Sequence, residues 1–287
     1  IANTDHHSGH PGSYGHGMTG VWAEAADRRA IWDGIYARRT WAMTGDRARL
    51  WFSIDGTPMG DIVNRPAAAS VVRIELDATS AIDYLELRNN GKRRMLFWDS
   101  EETAPAEEAI VELELGWGER GKLVQWEAEL TLEGGEILEI IPRFRGPEVV
   151  SPLDSSGEGV PTHHSEYERL DGHRLRVSTT TWGNMTNSTS STQGIAIRVA
   201  SPEMCSIRTR LNDKHALFAV NDLVRGSRSG NLGPIDSPAY RIRAFTPASY
   251  RRAIEWRSEN LEPGWAAVRA RLANGHWVIS SPVWISG

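Results

Sequence analysis

The sequence predicts a mostly β protein, in which an antiparallel β-sandwich region follows a short strand, loop and helix. From residue 46 onward, short runs such as RARLWFSI and SVVRIELD alternate apolar and polar residues. Asp-Gly, Asn-Gly and Gly-Gly pairs separate several of these runs and are typical of tight turns. About fifteen short strands at this spacing fit one large sandwich or two stacked ones.

One helix is predicted, and it lies in the first 45 residues. Asp27 is its expected N-cap, and the helix runs to Arg39. Arg38 and Arg39 then fall in the last turn, where the helix dipole favours cations. The apolar residues recur at the spacing of one helix face, at Ile31, Trp32, Ile35 and Tyr36.

The later strands are expected to form hairpins. The segments RNNGKRR and LEGGEI are predicted to be tight hairpin turns, as is the Asp-Gly pair that ends RARLWFSIDG. The C-terminal segment is predicted to be a hairpin of WAAVRARL and HWVISSPVWI, joined by a turn at Asn274 and Gly275. A Pro-, Gly- and Ser-rich loop at roughly residues 151–166 is a candidate division between two sub-sandwiches.

Composition excludes several classes of partner. The net charge of −5 and the pI near 6.0 give no field that would attract nucleic acid or an anionic membrane. No apolar run reaches the roughly 20 residues of a membrane helix. The single cysteine, Cys205, excludes an internal disulfide and is expected in the core. Both a periplasmic and a cytoplasmic location fit, and the oligomeric state stays undetermined.

Histidine is concentrated near the start of the chain, in NTDHHSGHPGSYGHG at residues 3–17. Asp5 and His7 are two residues apart, so at a strand end their side chains point the same way, and His6 points away. A carboxylate with a neutral imidazole suits zinc, manganese or iron. His10 is a weaker candidate in the glycine-rich loop that follows. The spacing alone leaves a metal site and a polar loop both open.

These residues also carry a family resemblance. Asp5 to Gly9, followed by Pro11 and Gly12, resembles the late Asp-x-His metal motif of the PHP (polymerase and histidinol phosphatase) superfamily. The chain is similar to an uncharacterised branch of it, the domain-of-unknown-function family 3604. The matching motifs are TDHHSGHPG, GMTGVWAE, RRAIWDGIYARRTWAMTGDRARLWFSIDGTPMG, GWGERG, PRFRGPEVVSP and ANGHWVISSPVWI. The segment GWAAVRARLANGHW departs from the family pattern, which is richer in aromatic residues.

The resemblance implies a fold and an activity. PHP proteins are (β/α) barrels that hold a metal cluster and typically hydrolyse phosphate esters. Residues 1–45 would be the incomplete terminal segment of such a barrel, and residues 46–287 a β-sandwich C-terminal domain. Asp5 and His7 match the two ligand positions of the motif. Because the other ligands of the family are not in this sequence, we expect a C-terminal fragment of a metal-dependent hydrolase. Its partner would be the missing N-terminal part of the barrel.

Further expectations follow from that reading. The intact parent would use a divalent metal, namely zinc, manganese or iron. The fragment by itself is expected to be inactive, and whether it binds a metal stays open. The loop after a barrel strand faces the active site, so Glu24 is a catalytic candidate, and Arg39 at the end of the helix is a second one. Arg39 has the fork that clamps phosphate oxygens. The alternative for both residues is ordinary solvent exposure near a helix end.

A second function class stays open, in which the β-sandwich is a structural module or a binding module for carbohydrate or a partner protein. Twelve tryptophans are present, and Trp117, Trp126, Trp182 and Trp277 are candidates for stacking on sugar rings, with burial in the core as the alternative. The sequence contains no nucleophile elbow, phosphate-binding loop, dinucleotide fingerprint or HExxH zinc motif.

Overall fold

The computed structural model describes residues 1–3, 16–64, 69–98, 107–145, 164–183, 192–259 and 261–287. These residues form 22 strands and two α-helices, so the prediction of a mostly β protein is confirmed. Strands are numbered here in chain order. The chain divides into two compact units. The described residues of the first unit lie within 1–98 and 248–287, and those of the second lie within 107–247.

The first unit contains two sheets. The larger sheet has eight strands: β1 (Met18–Val21), β2 (Thr40–Met43), β5 (Ile62–Val63), β7 (Ile82–Asn89), β8 (Lys92–Trp98), β20 (Gly264–Leu272), β21 (Trp277–Ser280) and β22 (Val283–Ile285). All of its pairs are antiparallel except the pair of β22 with β5. The smaller sheet runs in the order β19 (Arg251–Ser258), β6 (Ser70–Ala78), β3 (Ala48–Ile54) and β4 (Thr57–Pro58).

Alternation in the strands builds one core from both sheets of this unit. In β6, Val72, Ile74 and Leu76 are buried, while Arg73 and Glu75 between them are exposed. The buried side chains of β3, β7 and β20 join the same hydrophobic cluster. The outer face of the smaller sheet is therefore left to the charged residues of these strands.

The second unit also contains two antiparallel sheets, each of five strands. One runs in the order β12 (Glu166–Arg169), β13 (Arg174–Trp182), β10 (Leu123–Glu133), β15 (Ser206–Leu211) and β16 (Lys214–Ala219). The other runs in the order β11 (Ile137–Arg143), β14 (Gln193–Ala200), β9 (Glu108–Gly116), β18 (Ala239–Phe245) and β17 (Arg228–Asn231). Their apolar faces form a second hydrophobic cluster, separate in membership from the first.

Cys205 lies in this second core, as predicted, and its burial raises the pKa of the thiol. A second helix, α2 (Val220–Arg225), buries Val220 and Leu223 there. The prediction of a single helix was therefore wrong. The six residues of α2 are too few to show a helical period, and the packing of two of its side chains holds the turn.

Two predicted turns have the backbone conformation that is typical of their residue pairs. Asn90 and Gly91 join β7 to β8 with φ values of 49° and 80°, and Asp55 and Gly56 join β3 to β4 with 49° and 79°. Two consecutive residues with positive φ are the requirement of a type I′ hairpin turn. The C-terminal hairpin is confirmed as well, since β20 and β21 pair antiparallel around Gly275.

The predicted hairpin at LEGGEI was wrong. Gly134 and Gly135 connect β10 to β11, and these strands belong to different sheets. The glycines are needed for close approach: a Cβ on Gly135 would lie 2.1 Å from the Cys205 Sγ, and one on Gly134 would lie 2.2 Å from the Met204 carbonyl oxygen.

The helix α1 (Arg28–Tyr36) begins where predicted and ends earlier. Asp27 is the N-cap, and its side chain accepts a hydrogen bond from the Ala30 amide at 2.9 Å. Arg38 has a φ of 57°, which no α-helix allows, so Arg38 and Arg39 lie beyond the helix rather than in its last turn.

The segment on either side of α1 belongs to the antiparallel sheet. β1 and β2 pair antiparallel with each other, and β2 continues into β21. This differs from the parallel pairing that a terminal barrel segment over residues 1–45 implies, and the described residues from Met18 onward show no parallel partner for β1 or β2.

Candidate functional site

The predicted metal ligands Asp5 and His7 and the weaker candidate His10 lie outside the described residues. Among the residues that the structure describes, no group of three or more His, Cys, Asp or Glu side chains could hold a metal ion. The metal prediction therefore stays a prediction.

Glu24 and Arg39, the two catalytic candidates, line one cavity of about 480 Å³. We name it the α1 cavity, because it lies between the loop after β1 and one side of α1. Its other polar and aromatic lining comes from Trp22, Asp27, Arg29 and Asp33. Residues that were chosen from separate parts of the sequence are thus brought to one place.

Gly34 sets the distance between α1 and β1. A Cβ at this position would lie 2.5 Å from the Trp22 carbonyl oxygen and 2.9 Å from Val21 Cγ1. The helix therefore approaches β1 through a glycine, with backbone against backbone. Its apolar side chains do not make this contact: Trp32 and Tyr36 are 63% and 76% exposed.

The end of α1 fixes the position of Arg39. The Ala37 and Arg39 amides donate to the Asp33 and Gly34 carbonyl oxygens, and the Arg38 Nε donates to the Gly60 carbonyl oxygen. Arg39 then pairs with Asp61 at 3.3 Å. The buried Nε of Arg39 has no hydrogen-bond partner within the described part of the chain. One donor of this guanidinium is therefore still to be satisfied.

Charge in the α1 cavity is mixed. Three carboxylates, those of Glu24, Asp27 and Asp33, face two guanidiniums, those of Arg29 and Arg39. Asp27 is engaged as the helix cap, and Arg29 and Asp33 lie 3.9 Å apart in an exposed pair. No cysteine, histidine, serine or threonine is among the described residues that line it. The arrangement is suited to holding an ionic group, and it contains no pair of nucleophile and base.

The four tryptophans that the sequence offered for sugar stacking differ in their surroundings. Trp126 is fully buried, and its indole N–H donates to Thr181 Oγ1 at 2.7 Å, so it belongs to the core, which was the alternative given for it. Trp277 is half-buried, and the guanidiniums of Arg269 and Arg271 lie 4.5 and 4.8 Å from its ring centre. Trp117 and Trp182 are also half-buried.

A second cavity of about 480 Å³, which the sequence did not indicate, lies on the outer face of the smaller sheet of the first unit. It also contacts Trp22, and Trp51, Arg49 and Arg251 line it. Only the pairing of β3, β6 and β19 brings these residues together, and strand pairing between positions so far apart in sequence is not visible in a local pattern.

The geometry thus defines a mostly β chain with a small ionic cavity beside its first helix. Residues 4–59 of this chain match the family model described as "Protein of unknown function (DUF3604)". The matched segment contains Asp5, His7 and every residue of the α1 cavity. No curated protein matches the chain. In the described part of the chain, neither helix is long and apolar enough to cross a membrane.

Proposed function

We propose that Asp5 and His7 are ligands of a divalent-metal centre in a PHP-like hydrolase that acts on phosphate esters. The observation that carries the proposal is the Asp5-x-His7 spacing within the segment that matches the family model, which also contains the α1 cavity. The donor set fits zinc, manganese or iron, because a carboxylate and a neutral imidazole are ligands of these ions. When bound, the metal supplies Lewis-acid chemistry at a phosphoryl oxygen.

Two ligands are too few for a catalytic cluster, so the proposal requires further ligands beyond the described residues. In this proposal β1 and β2 belong with the β-rich part of the chain, because they pair antiparallel. The strands that follow would then be the β-sandwich C-terminal domain. Two core-forming sheets in each unit support that part of the proposal.

Arg39 is the residue of the α1 cavity that would hold the substrate. Its guanidinium keeps a buried donor that is not yet satisfied by the described residues, and Asp61 fixes its orientation. An arginine held in this way can donate two parallel hydrogen bonds to a phosphate. Glu24 is exposed at the same cavity, and a carboxylate there can accept a proton from an attacking or leaving group.

Metal titration tests the ligand assignment directly. The product of the full-length gene, stripped with EDTA, is titrated calorimetrically with Mn²⁺ and with Zn²⁺, as wild type and as the Asp5→Asn and His7→Ala variants. We expect the variants to bind at least about tenfold more weakly, which corresponds to about 1.4 kcal/mol. His6→Ala is the matched control, because its side chain should point away from the site, and it should bind as wild type does. Equal binding by all four proteins would contradict the assignment.

A hydrolysis assay tests the activity. With Mn²⁺ or Zn²⁺, the 287-residue chain alone should not turn over p-nitrophenyl phosphate, because Asp5 and His7 by themselves are too few ligands for a catalytic cluster. The product of the full-length gene should hydrolyse the ester, and Asp5→Asn should abolish this turnover while His6→Ala preserves it. Turnover by the 287-residue chain, or full activity of the Asp5→Asn protein, would each count against the proposal.

A further inference from the structure

The second cavity is a concave site on an otherwise charged sheet surface. We name it the tryptophan–arginine groove, and it is formed by Trp22, Trp51, Arg49, Arg251, Glu75 and Asp77 with neighbouring atoms. Its volume of about 480 Å³ is within the range of small-molecule sites. Glu24 and Arg39 are not among the described residues that line it.

The groove is open at β19 because Ala253, a small residue, lies between longer outward-facing residues of that strand. The outward residues of this strand are Arg251, Ala253, Glu255 and Arg257. Ala253 lies opposite Glu75 in register, and Glu75 lies opposite Trp51. The single methyl group of Ala253 therefore leaves a depression beside a carboxylate and an indole ring.

The aromatic wall of the groove is held in place. The Trp22 indole N–H donates to the Leu50 carbonyl oxygen at 2.8 Å, which ties the loop after β1 to β3. The rings of Trp22 and Trp51 meet edge to face with centres 5.4 Å apart, and Trp41 packs against Trp22 at 5.5 Å. A wall that is fixed in this way loses little conformational freedom when a ligand binds.

Two guanidiniums and two carboxylates point into the groove, and both guanidiniums are tied to the same acid. Arg49 and Arg251 both pair with Asp77, at 3.2 and 3.3 Å, each on a different carboxylate oxygen. Glu75 is the only other carboxylate among the described lining residues. Arg252 also borders the groove, but its guanidinium lies over the Phe97 ring at 5.7 Å, on the other face of the strand. The side chains of Arg49 and Arg251 are 65% and 76% exposed, so an anion from solvent can reach them.

Another ion pair on the outer face of the same sheet provides a comparison with the groove. Arg73 and Glu255 form one exposed pair at 2.9 Å, with one cation for one anion, and neither residue lines the cavity. The tryptophan–arginine groove differs in three ways, because two arginines share one acid, a rigid aromatic wall stands beside them, and the surface is concave.

We propose that the tryptophan–arginine groove binds an anionic sugar, a pyranose ring that carries a carboxylate or a sulfate group. The apolar face of the ring would stack on an indole, and the anionic group would meet the guanidiniums of Arg49 and Arg251. Glu75 accepts hydrogen bonds from ring hydroxyl groups, of which a pyranose has several. A nucleotide offers fewer such donors, and Glu75 would repel its doubly charged phosphate more strongly than a singly charged carboxylate or sulfate.

The binding experiment uses the 287-residue chain in EDTA, so that its outcome is independent of the metal proposal. Calorimetry compares a galacturonic acid trimer, a chondroitin sulfate tetrasaccharide, a cellulose trimer, AMP and inorganic phosphate. We expect at least one of the two acidic saccharides to bind, and the neutral trimer, AMP and phosphate to bind at least about tenfold more weakly. Higher salt should weaken the binding, because the charges are exposed to solvent. Binding of the galacturonic acid trimer would show that a carboxylate is sufficient, whereas binding of the chondroitin sulfate tetrasaccharide alone, which carries both carboxylates and sulfates, would show that the sulfate is required.

Variants then test the location. Arg49→Gln/Arg251→Gln should weaken binding of the acidic saccharide about tenfold or more. Ala253→Trp should block it without removing any charge. Arg73→Gln/Arg257→Gln is the matched control, because it changes the net charge equally on the same sheet outside the groove, and it should bind as wild type does. All these positions are at the surface, and thermal unfolding verifies that each variant is folded.

The following results overturn the proposal: no binding of either acidic saccharide, equal binding of the neutral trimer, binding of AMP or phosphate in preference to both acidic saccharides, or equal losses in the two double variants. The last of these would mean that the saccharide responds to net charge rather than to the groove.

Discussion

Glu86 is a buried carboxylate on β7 whose ionisation depends on two arginines. It alternates with the core residues Leu85 and Leu87 and is only 2% exposed. The Arg88 Nε and Arg269 Nε donate to its Oε1 at 2.8 and 2.6 Å. Burial acts to raise the pKa of Glu86, but these hydrogen bonds and the charges behind them outweigh it and hold the pKa below 4.5, its ordinary value.

This lowered pKa gives a pH-dependent prediction. Because the folded state holds Glu86 ionised more strongly than the unfolded state does, its contribution to stability is present above pH 4.5 and is lost as the pH falls through the folded value. At neutral pH, Glu86→Gln should lower the free energy of unfolding by about 2 kcal/mol. Urea unfolding across the acid range should show the gap to wild type closing below pH 4.5.

Glu255→Gln is the matched control for that measurement. Its partner Arg73 and its own side chain are both more than half exposed, so the change should stay within about 1 kcal/mol at every pH. A gap between wild type and Glu86→Gln that does not vary with pH would show that the loss comes from packing rather than from ionisation.

Arg39 and Glu24 show how far single residues could be assigned from the sequence. Glu24 was selected by its place in the loop after a strand and Arg39 by its guanidinium at a helix end, and both line the α1 cavity, while their catalytic role stays a prediction. The partners of Arg39 were not predictable, because Asp61 reaches it only after the chain has passed through β3 and β4. The tryptophan–arginine groove was missed for the same reason, since Arg251 lies far along the sequence from Arg49.

At the scale of elements, the start of α1 is determined by residues close in sequence, and its end is determined by a contact with a distant residue. Asp27 caps the helix through its own side chain three residues ahead, which is a sequence-local event, and the predicted start was confirmed. The end was mispredicted because Arg38 takes a left-handed conformation and donates to the distant Gly60 carbonyl oxygen. The hairpin at Asn90 and Gly91 was predicted because its turn depends on local residues. The connection at Gly135 was mispredicted because it depends on a close approach to Cys205, which is distant in sequence.

Gly34 gives the prediction at this scale. In an isolated helix, Gly→Ala is stabilising by about 1 kcal/mol. Here the new Cβ would lie 2.5 Å from the Trp22 carbonyl oxygen, so α1 would have to move away from β1. We expect Gly34→Ala to lower the free energy of unfolding by about 1–3 kcal/mol, measured by urea denaturation.

Gly226→Ala is its control, since a Cβ there would come no closer than 3.6 Å to any atom and the backbone is extended. That variant should be near neutral. An increase in stability for Gly34→Ala would mean that the close approach of α1 to β1 is not required.

At the scale of the whole molecule, the first unit contains both ends of the described chain, because strands that are far apart in sequence pair with each other. β19 to β22, near the end of the chain, pair with β6, β7, β2 and β5 from its first hundred residues. The second unit is therefore an insertion in the chain of the first. The sequence predicted a boundary between residues 45 and 46, and the strands on both sides of it, β2 and β3, lie in the first unit. Period and turn residues report local structure and carry no information on which distant strands pair.

The two hydrophobic clusters share no residue, and this gives the prediction for the whole molecule. Phe52 is fully buried in the first cluster and Ile207 in the second. Phe52→Ala should cost about 3–5 kcal/mol and Ile207→Ala about 2–5 kcal/mol. Hydrogen exchange measured by mass spectrometry should show lost protection of β3, β6 and β20 in the first variant and of β10, β13 and β15 in the second. Ile279→Ala, at a 39% exposed position, is the control and should change neither pattern. If Phe52→Ala exposed the strands of both units equally, the two cores would have to be one cooperative structure.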